Sequence, residues 1–209
     1  MRPAEAPGRA RGTAPGGVPG PTRDLAPLVL ALALAAGAGT AQDAGAGRQV
    51  AGQCRTCHGL DGYAQIPIAP HIGGEPAGYL AAQLRAFREG TRTHEMMSVV
   101  AAGLSDAQID DVAAWYAAHE VTADLAADVG EAPEACVACH GADGIAVVPD
   151  APNLAGESNI YIDTQLKAFR SGKRTHDVMS EVAADLTDAE IRAFADWYGA
   201  TTVAIGPPG

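Results

Sequence analysis

The chain holds four cysteines in 209 residues, and all four fall in two near-copies of one short motif. "CRTCHGLDG" begins at Cys54 and "CVACHGADG" at Cys136. Each places two thiols three residues apart with a histidine directly after the second: Cys54, Cys57, His58, then Cys136, Cys139, His140. Three chemistries use this set. A shared zinc site wants its two cysteine pairs roughly 15–20 residues apart. Here each pair sits in its own segment, so each zinc would need two further ligands that are not cysteine. A redox dithiol of the thioredoxin kind wants a strand–helix setting, and the sequence offers no alternating strand. The trailing histidine decides for covalent haem attachment over the other two. On a helix, positions i, i+3 and i+4 share a face, so two thiols can add to the vinyl groups of one porphyrin while the imidazole reaches the iron. The expectation is two covalently bound haem c groups, held by Cys54, Cys57, Cys136 and Cys139, with His58 and His140 as axial ligands.

A second axial ligand must come from elsewhere. A shift of 82 residues lays the chain on itself, and "RTHEMMSVVAAGLSDAQ" meets "RTHDVMSEVAADLTDAE". Met97 falls on Met179, whereas Met96 falls on Val178. A ligand needed in both copies should recur, so Met97 and Met179 are expected to ligate iron and Met96 to pack. His94 and His176 recur as well and are the rival ligands, although their charged surroundings suit a surface histidine. Met/His ligation raises a haem's potential, so the choice decides the class of carrier. His71 and His119 do not recur, since Asn153 and Thr201 take their places. They are given no role beyond a charge near a helix end for His119. A ligating histidine usually donates its other ring N–H to a carbonyl or carboxylate. Pro70 and Pro152 offer such carbonyls, with a simple loop proline the alternative. Arg88 and Arg170, or Arg92 and Arg174, are candidates to pair with haem propionates, against an ordinary surface role.

These residues need elements to hold them. From Cys54 to Tyr116 against Cys136 to Tyr198 the copies align without a gap, and more than half of the positions are identical. Two copies argue for tandem domains rather than a solenoid. Within each copy the pattern is helical. "YLAAQLRAFREG" puts Leu80, Leu84 and Phe87 on one face and stops at Gly90. "SDAQIDDVAAWYAAH" opens with Ser105 and Gln108 in capping-box positions, then runs Ile109, Val112, Ala113 and Tyr116 down one stripe. Thr187 with Glu190, then Ile191, Phe194, Ala195 and Tyr198, repeat both devices. A short helix is expected to carry each cysteine pair. The fold class is all-α, and no strand is expected. With aromatics at 5%, a haem plate supplies apolar bulk that so small a domain otherwise lacks.

Residues 1–41 read as a signal peptide: a basic leader, the apolar run "LAPLVLALALAA", and small residues before a cut after Ala41. That run is short of the ~18–20 residues needed to span a bilayer. The first domain is then 42–119, the linker 120–133, the second domain 134–203 and the tail 204–209. The formal net charge is −11. It is more acidic still without the leader, whose four arginines outnumber Glu5 and Asp24. Such a surface repels nucleic acid and favours partners with basic docking surfaces.

Together, "CxxCHGxDG", "YLxxQLxAFRxGxRTH", the recurring "M-S" and "L-[ST]-D-A-x-I-xxxAxWY" resemble the diheme cytochrome c4 family over roughly Gly45–Thr201. The resemblance implies two tandem cytochrome c-like domains related by an approximate two-fold, with His/Met haems. It also implies that Pro70 and Pro152 accept the bond from the haem histidine. The chain departs from it at Glu75 and Glu157, where the family often carries glutamine, and in the repeated His94 and His176. The expected function is that of a periplasmic one-electron carrier between respiratory partners, toward a terminal oxidase or membrane respiratory complex. It would not be an enzyme and would take no small-molecule substrate; loose association with the membrane is the alternative to free release. The alternative is the electron-transfer subunit of a dehydrogenase oxidising sulfide or another inorganic donor. A diheme peroxidase is disfavoured by the two methionines.

Overall fold

The computed structural model describes residues 42–125 and 132–209, together with the isolated Gly12 and Gly16. The signal peptide expected over 1–41 lies outside the described residues, apart from those two glycines. No helix among the described residues is long and apolar enough to cross a membrane.

Helices dominate. The first domain contains α1 (Ala44–Ala51), α2 (Arg55–His58), α3 (Ala77–Glu89), α4 (Met97–Ala102) and α5 (Asp106–Ala117). Strand β1 (His119–Asp124) follows. The second domain contains α6 (Glu134–His140), α7 (Asn159–Arg170), α8 (Asp177–Ala184) and α9 (Asp188–Gly199), then strand β2 (Thr202–Pro208). The long helices end where local chemistry says they should. α3 stops at Gly90, whose φ of 78° is the left-handed conformation that only glycine adopts cheaply. Ser105 and Gln108 form a reciprocal capping box on α5, and Thr187 and Glu190 form one on α9.

The apolar stripe of α5 builds the first core: Ile109, Val112, Ala113 and Tyr116 are buried with Leu80 and Leu104. In the second domain Ile162, Ala195 and Tyr198 play that part. Leu84 and Phe194, expected on the core faces, are half-buried and line cavities instead. Arg88 and Arg170 bridge the helices. Each donates to the carbonyl at residue 104 or 186 and to Asp106 or Asp188 at the start of α5 or α9. Their charge is paired with those carboxylates.

The strand-free expectation needs correction. β1 pairs antiparallel with β2, with Val121 opposite Ile205 and Asp124 opposite Thr202. The segment read as a linker therefore begins as a strand, and the residues read as a tail complete its partner. β1 and β2 each continue directly from a domain's last helix. Each strand alone is too short to show a core-facing alternation, and pairing becomes available only when the domains meet. The contact is close: a side chain on Gly73 would collide with Ile205.

Candidate haem sites

Each cysteine pair sits on a short helix, as the motif requires. Cys54 caps α2, which carries Cys57 and His58, and α6 carries Cys136, Cys139 and His140. All four thiols are free and partly buried. Burial pushes the Cys54 and Cys136 thiols up.

The two histidines are 7% and 6% exposed. Their Nδ1 atoms lie 2.9 Å from the Pro70 carbonyl and 2.8 Å from the Pro152 carbonyl. A carbonyl only accepts, so Nδ1 carries the proton and the Nε2 lone pair is left for a metal. Burial lowers both pKa values, which holds the rings neutral as a ligand must be. The prolines stand on loops held by glycine. Gly62 has a φ of 92°, and its carbonyl accepts the N–H of Ile72 at 2.8 Å. Gly144 accepts from Leu154 at 2.7 Å in the same way.

Two cavities complete the picture. One, of about 160 Å³, is lined by Cys54, Cys57, His58 and Met97 among apolar residues that include Leu80, Leu84 and Phe87. The other, of about 400 Å³, is lined by Cys136, Cys139, His140 and Met179 with Ile162, Leu166 and Phe169. A sulfur pair, an imidazole with a free lone pair and a thioether thus share one apolar cavity in each domain, and that set suits an iron porphyrin. Met96 is another matter. It is 62% exposed, so the packing role expected of it does not hold.

His94 and His176 border the same cavities but have a different occupation. Nδ1 of His94 accepts the backbone N–H groups of Met96 and Met97 at 3.3 and 3.4 Å. Nδ1 of His176 accepts those of Val178 and Met179 at 3.3 and 3.2 Å. His176 caps α8, taking the part usually given to Ser, Thr, Asp or Asn, and His94 makes the same pair of bonds just ahead of α4, whose N-cap position is Met96.

Sequence reasoning missed the groups between the domains. His71 Nδ1 accepts the Ala64 N–H at 2.9 Å, while Nε2 lies 3.1 Å from the Gly156 carbonyl. Asn153 does the same with an amide, accepting from Ala146 at 2.9 Å and donating to Gly74 at 3.1 Å. The two differ in type but offer the same acceptor and donor, so identity at the aligned position was the wrong signal to look for. Arg92 reaches Gln165 at 2.9 Å, and Arg174 reaches Gln83 at 2.9 Å. His119 is 4% exposed, with Nδ1 3.0 Å from the Trp115 carbonyl. It lies against a carbonyl at the end of α5.

Paired helical domains built on these motifs are the architecture of a diheme c-type cytochrome. The family profile described as "Cytochrome c" matches residues 44–118, and that described as "Cytochrome C oxidase, cbb3-type, subunit III" matches 124–197. Cytochrome c4 of Pseudomonas aeruginosa is 31% identical over 83% of this chain and 96% of its own length. A thiosulfate dehydrogenase electron acceptor of Stutzerimonas stutzeri is 34% identical over 85% of this chain and 93% of its own. The crystal structure of reduced recombinant cytochrome c4 from Pseudomonas stutzeri superposes with a TM-score of 0.67. It has 28% identity and covers 78% of this chain and 100% of that one. Thiosulfate dehydrogenase from Marichromatium purpuratum superposes with a TM-score of 0.66 and 30% identity, over 76% of this chain but 40% of that one. The chain belongs to the cytochrome c4 family. It is an electron carrier with two covalent haem c groups, and its partners are redox proteins.

Proposed function

We propose that the chain carries single electrons in the periplasm, from a dehydrogenase or other donor toward a terminal oxidase. Cys54 and Cys57 would hold one haem and Cys136 and Cys139 the other, and His58 with Met97, and His140 with Met179, would ligate the iron. Each haem, when bound, supplies a one-electron iron couple whose potential a methionine ligand raises. The protein's own part is to keep both axial groups in place. Pro70 and Pro152 fix the imidazoles, His94 and His176 hold the starts of the methionine helices, and the apolar walls exclude water. The observation that carries the reading is the shared cavity: in each domain the cysteine pair, the carbonyl-anchored histidine and the recurring methionine line one apolar space.

The acidic balance of −11 favours a donor or acceptor with a basic docking face. Export through the leader at 1–41 accords with attachment of haem outside the cytoplasm. A second reading, service as the acceptor of a specific dehydrogenase, is favoured by two thiosulfate dehydrogenase electron acceptors at 34% and 36% identity. Two measurements test the proposal. Intact mass of protein matured in a host with c-type maturation should show two added haem groups, and none or one overturns it. Stopped-flow mixing of the reduced protein with membranes holding the terminal oxidase should reoxidise it within milliseconds. Fast reduction by thiosulfate dehydrogenase, without reoxidation by the membranes, selects the second reading.

A further inference from the structure

Two glutamates sit in the interface between the domains, and each is 4% exposed. Glu157 Oε2 accepts the backbone N–H of His71 at 2.9 Å. That N–H belongs to the same peptide group as the Pro70 carbonyl, which accepts from His58 Nδ1 at 2.9 Å. The relation repeats with the domains exchanged. Both oxygens of Glu75 lie within reach of the Asn153 N–H, at 3.1 and 3.0 Å. The carbonyl of that peptide, Pro152, accepts from His140 Nδ1 at 2.8 Å.

A peptide group is conjugated, so a bond accepted at its oxygen and a bond donated by its nitrogen polarise each other. A carboxyl oxygen drawing on the N–H makes the carbonyl a better acceptor, and more so once the carboxyl is ionised. The carbonyl then draws harder on the ring N–H, and a ligating imidazole becomes more basic. We propose that Glu157 and Glu75 are positioning residues that tune the haem histidine of the opposite domain, each through one peptide group: Glu157 acts on His58 and Glu75 on His140. The inference rests on the reading of His58 and His140 as iron ligands.

The wiring is crossed, and that separates it from simpler accounts. The two carboxyls lie near enough for Glu157 to act on Glu75. His71, Tyr79, Tyr161 and Arg92 line the same cavity, and Arg174 acts on Tyr79 from the other side. A through-space field from so compact a cluster would reach both haems. A loosened interface would disturb both domains as well. Only the peptide route assigns each glutamate to one histidine, and to the one in the other domain.

The test uses holoprotein labelled with 15N-histidine and kept reduced above about pH 8, where Glu157 is ionised, and the Nδ1–H signals of His58 and His140 are observed by NMR. Ring-current shifts on both signals establish that these histidines ligate; their absence removes the ligand reading itself and is seen before any substitution is made. Glu157→Gln should then move the His58 signal and raise the potential of the first-domain haem, leaving His140 in place. Glu75→Gln should move His140 and raise the second-domain haem, leaving His58. Equal movement of both signals in either variant, or movement of the signal in the glutamate's own domain, overturns the proposal. If a variant fails to accumulate, the unsubstituted holoprotein serves. Across a pH titration His58 must follow the 13C carboxyl signal of Glu157 and His140 that of Glu75, and any other pairing overturns it.

Discussion

Nδ1 of His176 accepts the backbone N–H of Met179 at 3.2 Å, so the two recurring residues that compete for the sixth position are joined to each other. His94 and Met97 repeat the bond at 3.4 Å. The histidine works in the manner of a helix cap and the methionine as the group presented to the cavity. Met97→Ala and Met179→Ala should therefore each turn one haem high-spin in the visible spectrum. His94→Ala should leave both haems low-spin while costing about 1 kcal/mol in thermal unfolding, and His94→Asn should recover most of that loss. Loss of low-spin ligation in the first domain of His94→Ala would reverse the assignment.

The interface glutamates make stability fall with pH. Burial pushes Glu157 up to about 8 from an ordinary 4.5, against hydrogen bonds from Ser158 and His71 that work the other way. Burial likewise pushes Glu75 well above its usual range. Between the unfolded and folded values the native state holds the extra proton, so each unit rise in pH favours unfolding. The contribution is full below about pH 4.5 and is gone once pH passes about 8, with an upper limit on the order of 5 kcal/mol for Glu157. Melting curves of the holoprotein from acid to mildly alkaline pH should show this fall, and Glu157→Gln should flatten it. A melting temperature that rises over this window would contradict the linkage.

Gly62 is predicted to tolerate no side chain. Its φ of 92° is strained for any other residue, and a Cβ there would run into the backbone of Ile72 and Gly73. Gly62→Ala should lower stability by about 1–3 kcal/mol. It should also displace the Pro70 carbonyl from His58, visible as a changed Nδ1–H signal. Gly78→Ala, where nothing lies within 4 Å, is the control and should leave the Nδ1–H signal unchanged without lowering stability.

Electron exchange with a basic partner should slow as salt is added. With a formal charge of −11 on the chain, encounter is steered by a field that ions screen. The bimolecular rate should fall roughly tenfold between low and physiological ionic strength, measured by stopped-flow. A rate that does not change with salt would mean docking through apolar contacts alone.

Much of the site was legible before any coordinates. Cys-x-x-Cys-His is a local pattern, since one helical turn brings its members to one face, and the alignment of the copies singled out Met97 over Met96 by recurrence alone. Capping boxes, the Gly90 stop and the stripe of α5 are likewise set within a few residues of chain, where spacing and side-chain type suffice. The histidine anchors at Pro70 and Pro152 sit only 12 residues from their partners and were at least nameable.

What the tertiary structure alone decided lies between the domains. The bond from Asn153 to Glu75 spans 78 residues and that from His71 to Glu157 spans 86, and neither leaves a mark in periodicity or composition. The same holds for β1 and β2, which become a sheet only by meeting each other. Side-chain type and spacing determine what a segment can bind and how it coils. Which buried carboxyl faces which peptide depends on how two finished domains pack, and packing is a property of their surfaces together.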